Sequence, residues 1–261
     1  NSWKLYNVQG FARAGLGEFD GALMSYRSAL EIEPDQPGVL INMAVTLGKK
    51  GLIDAAMSSY EKSLEIKPNN PEAYFNQGTT LAESGQLDLA TVSFNRVIQL
   101  KSEHVKAWFN LGQIFTIKLE YEEARKCYER ILGIDGDSLE AHLNLGSIYK
   151  AQGKLNLALS SYQKSIQLSP KHAGAYNSIG AILQESGDLE KAIENYKLAL
   201  NFDPNLSEGY QNLGTALRDM GELDLALEKY KEALEINPHV AQTHYNKGVA
   251  LFDKGEMTKA K

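Results

Sequence analysis

Residues 173–206 read AGAYNSIGAILQESGDLEKAIENYKLALNFDPNL, and the spacing within this stretch decides the fold. Tyr176, Ile179, Gly180 and Leu183 fall at i, i+3, i+4 and i+7, one apolar stripe of a helix. A second stripe, Leu189, Ala192, Ile193, Tyr196, Ala199 and Leu200, follows Gly187. Gly187 predicts a helix C-cap, because glycine tolerates the left-handed backbone that ends a helix. Glu190 then stands in the first turn of the next helix, where the dipole favours negative charge. Pro204 stops that helix. The stretch is a helical hairpin whose helices run about 14 residues, or about 21 Å. Gly180 on one stripe faces Ala192 on the other, and small residues there let the two helices approach closely.

The same pattern recurs outward in both directions. Prolines stand at Pro34, Pro68, Pro170, Pro204 and Pro238, always 34 residues or a multiple of 34 apart, with Ser102 and Gly136 in the two remaining places. The register predicts repeats at 3–36, 37–70, 71–104, 105–138, 139–172, 173–206 and 207–240, and a partial one at 241–261, within a single array over 1–261. Three rows keep it: a small row (Gly10, Ala44, Gly78, Gly112, Gly146, Gly180, Gly214, Gly248), an alanine row (Ala22, Ala56, Ala90, Ala124, Ala158, Ala192, Ala226, Ala260) and an aromatic row (Tyr26, Tyr60, Phe94, Tyr128, Tyr162, Tyr196, Tyr230). The turn glycines are Gly17, Gly51, Gly85, Gly153, Gly187, Gly221 and Gly255. One hairpin cannot bury its apolar faces alone, whereas stacked neighbours can. The predicted fold is therefore all-α, an extended right-handed α-solenoid without a central core.

Composition narrows the function. The net charge of −6 and the absence of any Lys/Arg run longer than two argue against nucleic-acid binding. No apolar run is long enough to span a bilayer, so no membrane insertion is expected. The single cysteine, Cys127, cannot form an internal disulfide, which suits a reducing, cytoplasmic setting. No phosphate-binding P-loop or nucleophile elbow occurs. The five histidines lack metal-ligand spacing, with His142 and His244 expected in large core slots and His104, His172 and His239 in turns. No catalytic residue, metal or cofactor is expected. Asp135-Gly136-Asp137 lacks the further ligands of a calcium loop.

These rows resemble the tetratricopeptide repeat: Trp108, Leu111, Gly112, Phe115, Ala124 and Tyr128 in one repeat, and Tyr210, Leu213, Gly214, Leu217, Ala226, Tyr230, Ala233 and Pro238 in another. The resemblance implies a superhelix of helix-turn-helix repeats, its concave face lined by the first helix of each. It also implies a non-catalytic scaffold that binds a protein or peptide. The lining is then the stripe opposite the core stripe. It carries an asparagine ladder, Asn42, Asn76, Asn110, Asn144, Asn212 and Asn246, interrupted by Val8 and Ser178. Each amide offers a donor and an acceptor to an extended peptide backbone. The ladder is also similar to the repeat region of protein O-linked N-acetylglucosamine transferases. An apolar strip, Phe11, Ile41, Val45, Phe75 and Phe109, lines the N-terminal part, and polar residues that include Lys150 and Arg218 line the C-terminal part. No Lys–Asn pair matches the carboxylate clamp of co-chaperone members, which argues against acidic chaperone tails.

Leu119 replaces a turn glycine and Gly133 falls inside a helix, so residues 133–137 form the expected weak point. Two rival expectations accompany the scaffold: a substrate-recruiting region of a larger protein glycosyltransferase or sulfotransferase, and homo-oligomers formed through uncapped ends.

Overall fold

The computed structural model describes residues 2–255. Among them are fifteen helices and no strand. They are α1 (Trp3–Gly15), α2 (Phe19–Ile32), α3 (Pro37–Lys49), α4 (Ile53–Ile66), α5 (Pro71–Glu83), α6 (Leu87–Leu100), α7 (Val105–Ile117) and α8 (Tyr121–Ile134), followed by α9 (Leu139–Ala151), α10 (Leu155–Leu168), α11 (Ala173–Glu185), α12 (Leu189–Phe202), α13 (Ser207–Asp219), α14 (Leu223–Ile236) and α15 (Ala241–Asp253). The chain divides into two compact units, Asn1–Ile134 with α1 to α8 and Asp135–Lys261 with α9 to α15. Within each unit an odd-numbered helix packs on the even-numbered helix that follows it, and that helix packs on the next odd one. The protein is an all-α solenoid of stacked hairpins.

The three sequence rows make the core. The described alanines of the row, from Ala22 to Ala226, are fully buried, and the aromatics from Tyr26 to Tyr230 nearly so; Ala260 lies outside the described residues. The small row works more directly than by facing alanine. Gly10, Gly78, Gly112, Gly146, Gly180 and Gly214 each carry the aromatic ring of their own hairpin on the backbone, so that a Cβ at Gly112 would lie 2.7 Å from Tyr128 Cζ and one at Gly146 2.7 Å from Tyr162 Cε1. The rings are held at their far ends too. Tyr60 Oη is 3.1 Å from Thr80 Oγ1, Tyr162 Oη 3.0 Å from Ser147 Oγ, and Tyr230 Oη donates to Thr215 Oγ1 at 3.2 Å. Tyr128 departs from this: its hydroxyl is buried with no partner, while the hydroxyl of nearby Thr116 donates instead to the Gly112 carbonyl at 2.7 Å.

The turn glycines adopt φ between +71° and +85°. Leu119 takes their place with φ +60° and closes the same turn, Glu120 N–H donating to Phe115 O at 2.8 Å as Gln86 N–H does to Leu81 O at 2.9 Å. A leucine is held there in a backbone region that costs about 1–2 kcal/mol for an L-residue.

His142 and His244 are not core residues. His142 is half-buried and His244 exposed, and each sets its Nε2 against the turn carbonyl six residues earlier, Gly136 O at 3.2 Å and Pro238 O at 2.8 Å. Trp108 Nε1 and Tyr176 Oη donate to Ser102 O and Pro170 O in the same way. In these four repeats the slot holds a flat side chain whose tip meets the turn carbonyl, whereas Leu40 fills it in the second. His104 and His172 cap α7 and α11, their Nδ1 atoms accepting from the Ala107 and Ala175 amides. No described helix is long and apolar enough to cross a membrane.

Candidate functional site

The odd helices present the face turned away from their even partners, and the ladder asparagines fall into two classes on it. In the first class the amide is used internally. Asn42 Nδ2 donates to Asn7 Oδ1 at 3.0 Å, and Asn212 Nδ2 to Asn177 Oδ1 at 3.1 Å, each tying one odd helix to the preceding one. Asn246 donates to Thr215 Oγ1 at 3.4 Å and accepts from Gln242, while Asn144 bonds the Glu140 carbonyl of its own helix at 2.7 Å. The second class is Asn76 and Asn110. The residue 35 earlier, which supplies the partner of Asn42 and Asn212, is Ile41 for Asn76 and Phe75 for Asn110, so no lateral amide pair recurs there. Both are half-buried, and neither makes a side-chain hydrogen bond among the described residues.

The polar lining of the second unit is closed on itself. Tyr196 Oη donates to Gln184 Oε1 at 2.9 Å, Gln184 Nε2 donates to Asp219 Oδ2 at 2.8 Å, and Arg218 pairs with Asp219 at 3.1 Å. Arg218 is thus committed to an internal ion pair, whereas Lys150 is half-buried without an ion-pair partner among the described residues.

The first unit is open. Between α1 and α3 lies a pocket of about 140 Å³ lined by Phe11, Ala14, Gly15, Tyr26, Asn42, Val45, Thr46 and Lys49. Between α5 and α7 lies one of about 290 Å³, lined by Thr79, Ala82, Glu83, Leu87, Asn110, Gln113, Ile114 and Ile117. Phe11, at 67% exposure, and half-buried Val45 line the first.

Of the residues expected in the lining, Ile41 is buried, and Phe75 and Phe109 are half-buried against neighbouring rings. Ile41 is 3% exposed and packs with Leu23, Ala44, Leu47 and Tyr60, so it presents no surface. Phe75 leans onto Phe94 and His104, with ring centroids 5.7 and 5.0 Å away, and Phe109 stands edge-on to Tyr128 at 5.9 Å. The fifth residue of a repeat lies between the core stripe and the lining, and a long side chain there turns toward the aromatic row. Besides Thr79 and Gln113, which stand at the ninth place of the lining stripe, the pockets include three residues that sequence reasoning missed, Lys49, Glu83 and Ile117. The last three occupy the thirteenth place of their repeats, four beyond the ninth and on the same helical face, so extending the lining stripe by one turn would have found them.

Buried titratable groups lie beneath this surface rather than on it. Burial pushes the Cys127 thiol up to about 12 and Tyr60 likewise to about 12, so neither ionises near neutral pH. Among the described residues no cluster of histidine, cysteine and carboxylate side chains can hold a metal ion.

Sequence models of the tetratricopeptide repeat match residues 37–70, 59–91, 105–138 and 137–205, and a further model described as a TPR repeat matches 214–255. The chain is a tetratricopeptide repeat protein. No curated protein matches it. This tetratricopeptide array is similar in structure to a tetratricopeptide repeat protein from Parabacteroides merdae (TM-score 0.67, 17% identity, covering 95% of this chain and 98% of the other). It is also similar to YrrB, described as a TPR protein with an unusual peptide-binding site (0.58, 22%, 75% and 97%), and to MamA (0.57, 26%, 63% and 96%). The first two likenesses bear on the fold alone. Tetratricopeptide arrays are typically non-catalytic scaffolds for protein interaction, and this chain has that architecture.

Proposed function

We propose that this array binds an extended peptide or protein segment along the odd-helix face, and that the site is the first unit. The observation that carries this reading is the contrast in hydrogen bonding. The second unit's lining amides and charges are largely satisfied internally, whereas Asn110 and Gln113 keep free donors and acceptors on an open, mostly apolar pocket, and Asn76 keeps its own on the adjoining helix. A bound main chain offers one donor and one acceptor per residue, and side-chain amides match both. The pocket supplies the apolar contact that a polar ladder lacks. In this reading Asn42, Asn212 and Asn246 hold the helices in register, and the array from 1 to 261 acts as one scaffold.

The test is capture of partners by the wild-type chain, by Asn110→Ala/Gln113→Arg and by Arg218→Ala, after circular dichroism has shown equal helix content. The reading expects partners to be lost from the double variant and kept by Arg218→Ala. Equal capture by the double variant would remove the α5–α7 pocket from the site.

A second reading, self-association, has one observation in its favour. Leu5, Val8 and Ala12 on α1 and Leu16 at its C-cap form an exposed stripe, although the residues equivalent to Leu5 in α3, α5 and α7 (Val39, Ala73 and Ala107) are buried. Sedimentation velocity across a hundredfold range of concentration tests it, and a constant monomer would dismiss it.

A further inference from the structure

The two pockets of the first unit are the same place in the repeat, read two hairpins apart. Each opens between consecutive odd helices and is built from the ninth, twelfth and thirteenth residues of one hairpin and the sixth, ninth, tenth and thirteenth of the next. The cleft between them, α3 to α5, is closed: a Cβ on Gly48 would lie 2.7 Å from the Thr80 methyl. The groove therefore offers two separate apolar sockets rather than a continuous channel.

The sockets differ in charge. Lys49 stands on the rim of the one walled by Phe11 and Val45, and Glu83 on the rim of the one walled by Leu87 and Ile117. Both rim residues are exposed, and neither has an ion-pair partner among the described residues. Their neighbours show that pairing was available. Lys50, next to Lys49, is paired with Asp20, and Asp219, at the corresponding thirteenth place in the second unit, is paired with Arg218 beside it. An unpaired cation beside one socket and an unpaired anion beside the other form a dipole along the groove.

Resting on the groove reading above, we propose that this dipole selects the ligand. The first unit takes an extended segment with two apolar anchor residues, an acidic residue beside the anchor in the Phe11–Val45 socket and a basic residue beside the anchor in the Leu87–Ile117 socket. Neighbouring odd helices pack roughly 10 Å apart, so sockets two hairpins apart are separated by about 20 Å. An extended chain covers that in about six residues. The amides of Asn76 and Asn110 lie along this span and take the main chain.

The test is selection from a displayed library of random twelve-residue peptides against the full chain and three variants at exposed positions, Lys49→Glu, Glu83→Lys and Gln113→Arg. The expected wild-type pool carries one acid and one base beside two apolar residues about six apart. Lys49→Glu should select two bases, and Glu83→Lys two acids. A synthetic peptide from the wild-type pool should lose about tenfold in affinity on Lys49→Glu, measured by fluorescence anisotropy. Pools without charge order, pools that both charge reversals leave unchanged, or no enrichment at all would each overturn the proposal. If the peptides are lost from Gln113→Arg but carry no charge order, the groove reading stands and the dipole does not select. If they bind Gln113→Arg unchanged, both readings fall.

Discussion

Replacing glycine by alanine should change stability in opposite directions at two positions of the fourth hairpin. In an open helix the change is favourable by about 0.5–1 kcal/mol, because alanine has less backbone freedom to lose. Gly133 in α8 is such a place, with nothing within 4 Å of a built Cβ. At Gly112 in α7 the same methyl would lie 2.7, 2.9 and 3.0 Å from three atoms of the Tyr128 ring. That ring is fully buried, so it can yield only by displacing its neighbours, and overpacking of this kind costs about 1–3 kcal/mol. The propensity gain offsets part of this, leaving Gly112→Ala destabilising by about 1 kcal/mol. The fold is not destroyed, because Ala44 fills the equivalent place opposite Tyr60, whose ring has settled with its hydroxyl 3.1 Å from Thr80. Cys127 reports the outcome. It is 3% exposed in the cluster with Leu111 and Ile114, and burial pushes its thiol up to about 12, so alkylation near neutral pH requires opening of α8. Under native conditions Gly112→Ala should label about fivefold faster than wild type and Gly133→Ala about two- to fivefold slower, at 1.4 kcal/mol per factor of ten. Slower labelling of Gly112→Ala would mean that helix propensity outweighs the ring contact, and would refute the packing account of the glycine row.

Other consequences follow from single residues. Leu119→Gly releases the left-handed strain of about 1–2 kcal/mol but adds unfolded-state freedom of about 0.4–1 kcal/mol, so thermal melting should show a small net stabilisation of about 0.5 kcal/mol; a loss of stability would contradict the strain. Tyr230→Phe removes a hydrogen bond and should cost about 1 kcal/mol, whereas Tyr128→Phe removes a buried hydroxyl without a partner and should be neutral or stabilising, both read from urea midpoints. His104 caps α7 as a neutral ring, and burial lowers its pKa, opposed by a backbone hydrogen bond and reinforced by the charges of Lys101 and Lys106. Its contribution is therefore complete above the unfolded value of roughly 6.5 and is lost as pH falls through the lowered native value. His104→Asn keeps a capping side chain that does not titrate there, so the difference in stability between wild type and variant should shift in favour of the variant as pH drops through this window. A pH-independent difference would exclude the histidine as the cause.

The fold was legible because a solenoid writes every contact in one short period. Ala124 and Tyr128 occupy the same places as Ala192 and Tyr196, and the role of Leu119 as a turn residue followed from the glycines around it. The site was less legible because side chains on the boundary between core and lining choose sides by packing. Phe75 looks like a groove residue by spacing, yet Phe94 and His104 draw it inward, and Ile41 is absorbed into the core. The asparagine ladder reads as uniform in sequence. Only the coordinates separate Asn42, which bonds Asn7 one repeat away, from Asn110, which has no such neighbour. The pairing of Arg218 with Asp219 and the freedom of Glu83 are likewise matters of three-dimensional neighbours rather than of spacing.

The central claim is that partners lie on the odd-helix face of the first unit. A photo-cross-linking amino acid placed at Gln113, on the α5–α7 pocket, and separately at Glu61, an exposed position of α4, tests it in source-cell extract. The account predicts cross-links to a short, contiguous partner segment from position 113 and none of that segment from position 61. Cross-links to that segment from position 61 with none from position 113 would contradict it.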